Sequence, residues 1–285
     1  MLPMLLTTLL LIESGPPNFH RPMWSPDGKY LAFMSDSVGN WELFLWDQRS
    51  PKPTRITESP SFDGYAFWAP DGKRFLYIMA GETVPQAIYL YDLTRKTSRA
   101  LTKPNDGAIG GKFSPDGKSI LHSRDHDGVR HIYVMDEHGG NVKRLTHGSA
   151  TYHGSPIYDP AGERIAYVKN EGTGYELRLM DPTGKPLGVV TRDASRIYGL
   201  WWSPDGKWLA YNAERDGAYE IFKIEVDGGK PIRLTHNRSI DHLPVWLSQD
   251  RLVFTSYRGG PEEVYEMNAD GSMVKKVAMP TMPTK

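Results

Sequence analysis

A six-residue string, WSPDGK from Trp24 to Lys29, keeps returning and constrains the fold more than any other feature of the chain. It recurs as WAPDGK at Trp68, FSPDGK at Phe113, YDPAGE at Tyr158 and WSPDGK at Trp202, with a worn copy, WLSQD, at Trp246. Successive anchors lie 44 or 45 residues apart. A fixed period of that length means that one small unit is repeated, each copy burying the face its neighbour leaves open.

The signals inside each copy keep one order. An aromatic residue ends a short apolar stretch, and Ser-Pro-Asp-Gly then turns the chain. Pro presets φ, Asp bonds to nearby backbone, and Gly supplies a positive φ. A β-rich run follows: YLAFMS at Tyr30, RFLYIM at Arg74, SILHS at Ser119, RIAYV at Arg164, WLAYN at Trp208 and RLVFTS at Arg251. A second run closes on Asp47, Asp92, Asp136, Asp181, Glu225 or Asn268. A Gly-rich turn leads to a last short strand ending in Ile56-Thr57, Leu101-Thr102, Leu145-Thr146, Val190-Thr191, Leu234-Thr235 or Val277-Ala278. Apolar and polar residues alternate and no stretch holds a helical period, so each repeat is four short antiparallel strands. Six copies predict an all-β, six-bladed β-propeller with four antiparallel strands per blade, one domain over residues 1–285.

These residues resemble the TolB-like β-propeller family, with its SPDGK, IYxMD and RLT signatures, from about Leu11 to Ala278. The Gly-His and Trp-Asp pair of WD repeats is missing; Trp46-Asp47 stands once, at the MD position. The resemblance implies a periplasmic or cell-envelope protein that docks a protein partner. TolB itself carries an N-terminal α/β domain ahead of its propeller, for which the repeats here leave no room. Prolyl-oligopeptidase-like peptidases have similar repeats, but their Ser-His-Asp chemistry lies in a hydrolase domain that these repeats do not contain.

Lys+Arg and Asp+Glu are equal at 34 each, so no basic surplus points to nucleic acid or an anionic membrane. The chain has no cysteine, which excludes disulfides, thiolate metal sites and cysteine nucleophiles but leaves periplasm and cytoplasm both open. Nor does it contain a GxSxG elbow, a phosphate-binding GKS/T loop, HExxH or a GxGxxG after a strand. The opening segment, residues 1–12, is either a closing strand of the last blade or a weak signal-like segment; it lacks a basic start and a cleavage site. It is too short to span a membrane. Residues 273–278 compete with it for the outer-strand place.

The starts of the inner strands face the channel mouth. Four residues before the anchors stand His20, Gly64, Ile109, Tyr198 and His242; the fourth repeat, counted as one residue longer, places His153 there. The mouth is therefore expected to bind a protein or peptide through His20, Arg21, Tyr65, His153, Tyr198, Asp241 and His242, with no catalytic residue and no cofactor. The chain is expected to be a monomer. The alternative is a metal-dependent enzyme, of the polysaccharide lyase or hydrolase type, with a divalent cation in the channel. Its candidate ligands are His20 and His242, neighbours across the ring closure. His122, His126, His131 and His138 crowd the third repeat and are read as part of its strands and polar link. Asp27, Asp71, Asp116 and Asp205 are read as turn residues, and the Trp anchors as packing between blades.

Overall fold

The computed structural model describes residues 18–59, 62–80, 86–104, 106–148 and 152–282. The first repeat folds as β1 (Phe19–Trp24), β2 (Tyr30–Ser35), β3 (Glu42–Asp47) and β4 (Thr54–Arg55). The second gives β5 (Phe62–Trp68), β6 (Arg74–Ala80), β7 (Ala87–Asp92) and β8 (Thr97–Ala100). The third gives β9 (Ala108–Phe113), β10 (Ser119–His126), β11 (Val129–Asp136) and β12 (Lys143–Arg144). The fourth gives β13 (Tyr152–Tyr158), β14 (Ile165–Asn170), β15 (Tyr175–Met180) and β16 (Pro186–Asp193). The fifth gives β17 (Ile197–Trp202), β18 (Trp208–Arg215), β19 (Ala218–Glu225) and β20 (Ile232–Arg233). The last gives β21 (Asp241–Ser248), β22 (Arg251–Ser256), β23 (Glu263–Asn268) and β24 (Lys275–Lys276).

The architecture is an all-β propeller, but the expectation of six blades is corrected. Four blades stand as separate four-stranded sheets, formed by the first, second, fifth and sixth repeats. The third and fourth repeats share one eight-stranded sheet, ordered β16-β15-β14-β13-β11-β10-β9 with β12 on β11. The join is a parallel pairing of β11 with β13 through Arg130 and Tyr152.

The recurring sequence signals do the same work wherever their residues recur. In the turn, Ser25 Oγ donates to Asp27 Oδ1 at 2.7 Å and accepts the Tyr30 N–H at 3.0 Å; Ser114–Asp116 and Ser203–Asp205 repeat the bond at 2.6 Å. The anchors tie neighbours together: Trp68 Nε1 donates to the Met23 carbonyl at 2.8 Å, and Trp202 Nε1 to that of Ile157 at 3.2 Å. In the first and fifth repeats the Arg-x-Thr signature closes the outer strand on a buried acid. Arg55 and Thr57 clasp Glu42 at 2.7 and 2.5 Å; Arg233 and Thr235 clasp Glu220. In the third repeat His131 stands at this place, accepting from Arg144 at 2.7 Å.

Inner strands touch in cyclic order, and β1 meets β22 and β23 to close the ring. The last repeat supplies its own outer strand, with Lys276 paired to Tyr265 and Lys275 to Glu266. The closing-strand and leader readings of residues 1–12 fall outside the described residues. Beyond β24 the chain lays Met279 and Met282 against Leu31, Phe33 and Phe44 of the first repeat, fastening last to first. No helix among the described residues is long and apolar enough to cross a membrane.

Candidate functional site

Each inner strand carries a β-bulge three residues before its anchor. The residues there, Arg21, Tyr65, Gly110, Ser155, Gly199 and Leu243, all have φ between 51° and 67°. Ladder register breaks at the same place in every inner strand, as between His20 and Met23 in β1. A bulge re-aims side chains, and the shared spacing puts these positions at the same level of their inner strands.

The structure separates the expected mouth residues into two groups. His20, Arg21, Tyr65, Tyr198 and His242 are half-buried in the strand starts. Arg21 lies over the Tyr65 ring at 3.7 Å from its centroid, and Tyr198 meets Tyr219 edge-on at 5.1 Å. Burial and the neighbouring Tyr219 raise the Tyr198 pKa to about 12, so its hydroxyl stays a donor. His153 and Asp241 are elsewhere. The residue paired like His20 with Met34 is Gly154, with Val168, so the fourth repeat is not longer before its anchor and His153 takes the opposite face. It is buried beside His131, ring centroids 5.3 Å apart. Burial, with His131 and Lys169 nearby, lowers its pKa to about 4. Asp241 is fully buried and binds Arg258 at 2.7 Å. The crowded histidines of the third repeat do not converge: His122 is buried against Tyr133, while His126 is exposed.

A residue absent from the sequence reading organises the closure. Glu262, 2% exposed, accepts from His20 Nδ1 and from His242 Nε2 at 2.8 Å on one oxygen, and from Tyr257 O–H at 2.9 Å on the other. Its backbone also joins the ends of the ring, since Phe19 N–H donates to its carbonyl at 3.2 Å. Burial alone would raise the Glu262 pKa, but His20 and His242 outweigh it and hold the carboxyl well below its usual range. Burial lowers the pKa of His20 against the pull of Glu262, with Arg21 adding repulsion.

Among the described residues, His20, His242 and Glu262 form the one group whose ligand atoms lie close enough to share a metal ion, all within 4.8 Å. The hydrogen bonds oppose that use. Arg21 Nε–H donates to His20 Nε2 at 3.2 Å, which leaves the ring proton on Nδ1, the atom facing Glu262. A metal there needs Nδ1 unprotonated and a cationic neighbour moved away. As arranged, the cluster is a hydrogen-bonded seam that positions Arg21.

A family model described as the TolB beta propeller domain matches residues 79–196 and 155–282. An uncharacterized protein of Agrobacterium fabrum is 30% identical over 248 residues, 87% of this chain and 69% of that protein. Dipeptidyl-peptidase 5 of Porphyromonas gingivalis is 22% identical over 320 residues, 91% of this chain but 46% of the peptidase, so the chain spans about half of that relative. Among solved structures, TolB from Acinetobacter baumannii superposes with a TM-score of 0.71 at 24% identity, covering 90% of this chain and 62% of that one. With one model covering well over half its length, the chain belongs to the TolB β-propeller family.

Proposed function

We propose that the chain is a non-enzymatic binding module that takes an extended protein segment at the channel mouth, in the bacterial envelope. The observation that carries this reading is the convergence of Arg21, Tyr65 and Tyr198 at one end of the channel, half-buried and held by bulges and by the Glu262 seam. Aromatic rings with polar tips and a guanidinium make good contact with peptide at little entropy cost, which is why they dominate binding hot spots. The family is consistent with a protein partner. The metal-enzyme alternative has less support, because the tautomer of His20 is set against a metal ion at Nδ1.

The test is a library of displayed random peptides panned on the wild type and counter-panned on a Tyr65→Ala/Tyr198→Ala variant. Enrichment of a sequence family that binds the wild type alone is the expected result. Peptides that bind both proteins equally, or no enrichment, would overturn the reading.

A further inference from the structure

Below the mouth the channel changes character. The residue just before each anchor lines a cavity of about 370 Å³ at the anchor end: Met23, Phe67, Lys112, Ile157, Trp201 and Val245. Five are apolar and one is a lysine. Phe67 and Trp201, from the second and fifth repeats, stack at 6.4 Å across the channel and stop it. The Lys112 ammonium lies over both rings, 5.2 and 5.4 Å from their centroids, and donates to the Leu200 carbonyl at 3.3 Å. Leu200 precedes Trp201 along β17, the strand that carries Tyr198 at the mouth and ends at the anchor Trp202.

Among the described residues no carboxylate pairs with Lys112. Burial, then the charge of Arg21, lowers its pKa to about 7. Arg21 is no better balanced: the carboxylate it feels, Glu262, already accepts from two imidazoles and a phenol. Both cations are half-buried in the channel and repel each other, a cost that an anion between them would relieve. The walls decide which anion. One guanidinium and one ammonium between flat aromatic faces suit a planar carboxylate, which takes two parallel N–H bonds from a guanidinium.

We propose that the channel floor is a carboxylate-binding site, in which Lys112 and Arg21 receive a terminal or side-chain carboxylate of the segment that enters at the mouth. This rests on the binding-module reading and adds what the segment must carry. Because Phe67 and Trp201 stop the channel, the ligand inserts a chain end or a loop tip and does not thread through.

Three small probes test it on the intact chain: N-acetyl-alanine as a terminal carboxylate, the α-amide of N-acetyl-glutamate as a side-chain carboxylate, and N-acetyl-alaninamide as the neutral control. Thermal melts and the NMR titration of the Lys112 side chain are the readouts. At least one acid is expected to raise the melting temperature saturably and to raise the Lys112 pKa, while the amide does neither. The stronger acid identifies the source of the carboxylate. Lys112→Met and Arg21→Met should each weaken that acid by about tenfold or more, as loss of a charged hydrogen bond does. Equal effects of acid and amide, acids that bind Lys112→Met as they bind wild type, or no saturable response would overturn the site. Panned peptides that bind the mouth yet ignore Lys112→Met would remove the carboxylate site and leave the module standing. Acids that bind while no peptide is enriched would do the reverse.

Discussion

Lys112 is the residue whose energetics are most exposed to measurement. Its pKa falls from 10.5 in the unfolded chain to about 7 in the folded one, first through burial. Between those values the unfolded chain holds a proton that the folded chain has lost, so this group's contribution to stability rises with pH across that window. Below pH 7 the burial penalty is fully present. Lys112→Met should therefore raise the melting temperature by several degrees at pH 6 and hardly at all near pH 10, read from paired melts. A gain that does not change with pH would mean that Lys112 is solvated. Neither Lys112 nor Glu262 was singled out in the sequence, though each breaks a column. Lys112 stands among Met23, Phe67, Ile157, Trp201 and Val245, and Glu262 where other repeats have Trp41, Gln86, Arg130, Tyr175 and Tyr219. Such breaks show only after the strands are in register. His153 was misplaced for the same reason: a one-residue error carries a strand side chain to the other face.

At the scale of the element, strand order and turn chemistry were legible because Ser-Pro-Asp-Gly, the alternating runs and the Arg-x-Thr ending are local signals. What Arg-x-Thr is for was not, since its acid lies 13 to 15 residues away on a different strand. Thr57 Oγ1 accepts the Leu43 N–H at 2.9 Å and donates to buried Glu42. Thr57→Val keeps the shape and strands both partners, so it should cost about 1–3 kcal/mol in urea unfolding. A cost near zero would make the signature decorative. The fusion of the third and fourth repeats was also hidden, because one backbone pairing between Arg130 and Tyr152 leaves no trace in the period of the sequence.

At the scale of the molecule, the ring depends on non-covalent closure between last and first repeats. Each repeat supplies its own four strands, so Glu262 and the 279–282 tail fasten the seam. Glu262→Gln keeps the shape but removes the charge that two imidazoles and Tyr257 address. It should cost about 3 kcal/mol, as loss of one partner from a buried charged cluster does. Hydrogen exchange should quicken first in β1 and β22, and uniform quickening would argue against a seam. A closed, plugged disc also has two unlike ends, and the central claim is that only the mouth binds. The most direct test is the dissociation constant of a panned peptide on the wild type, on Tyr65→Ala/Tyr198→Ala at the mouth, and on Pro70→Glu at the anchor end. The account predicts a loss of about tenfold or more at the mouth, the scale of a truncated aromatic hot spot, and a change within about twofold at the anchor end. A larger loss from Pro70→Glu than from the tyrosine pair would contradict it.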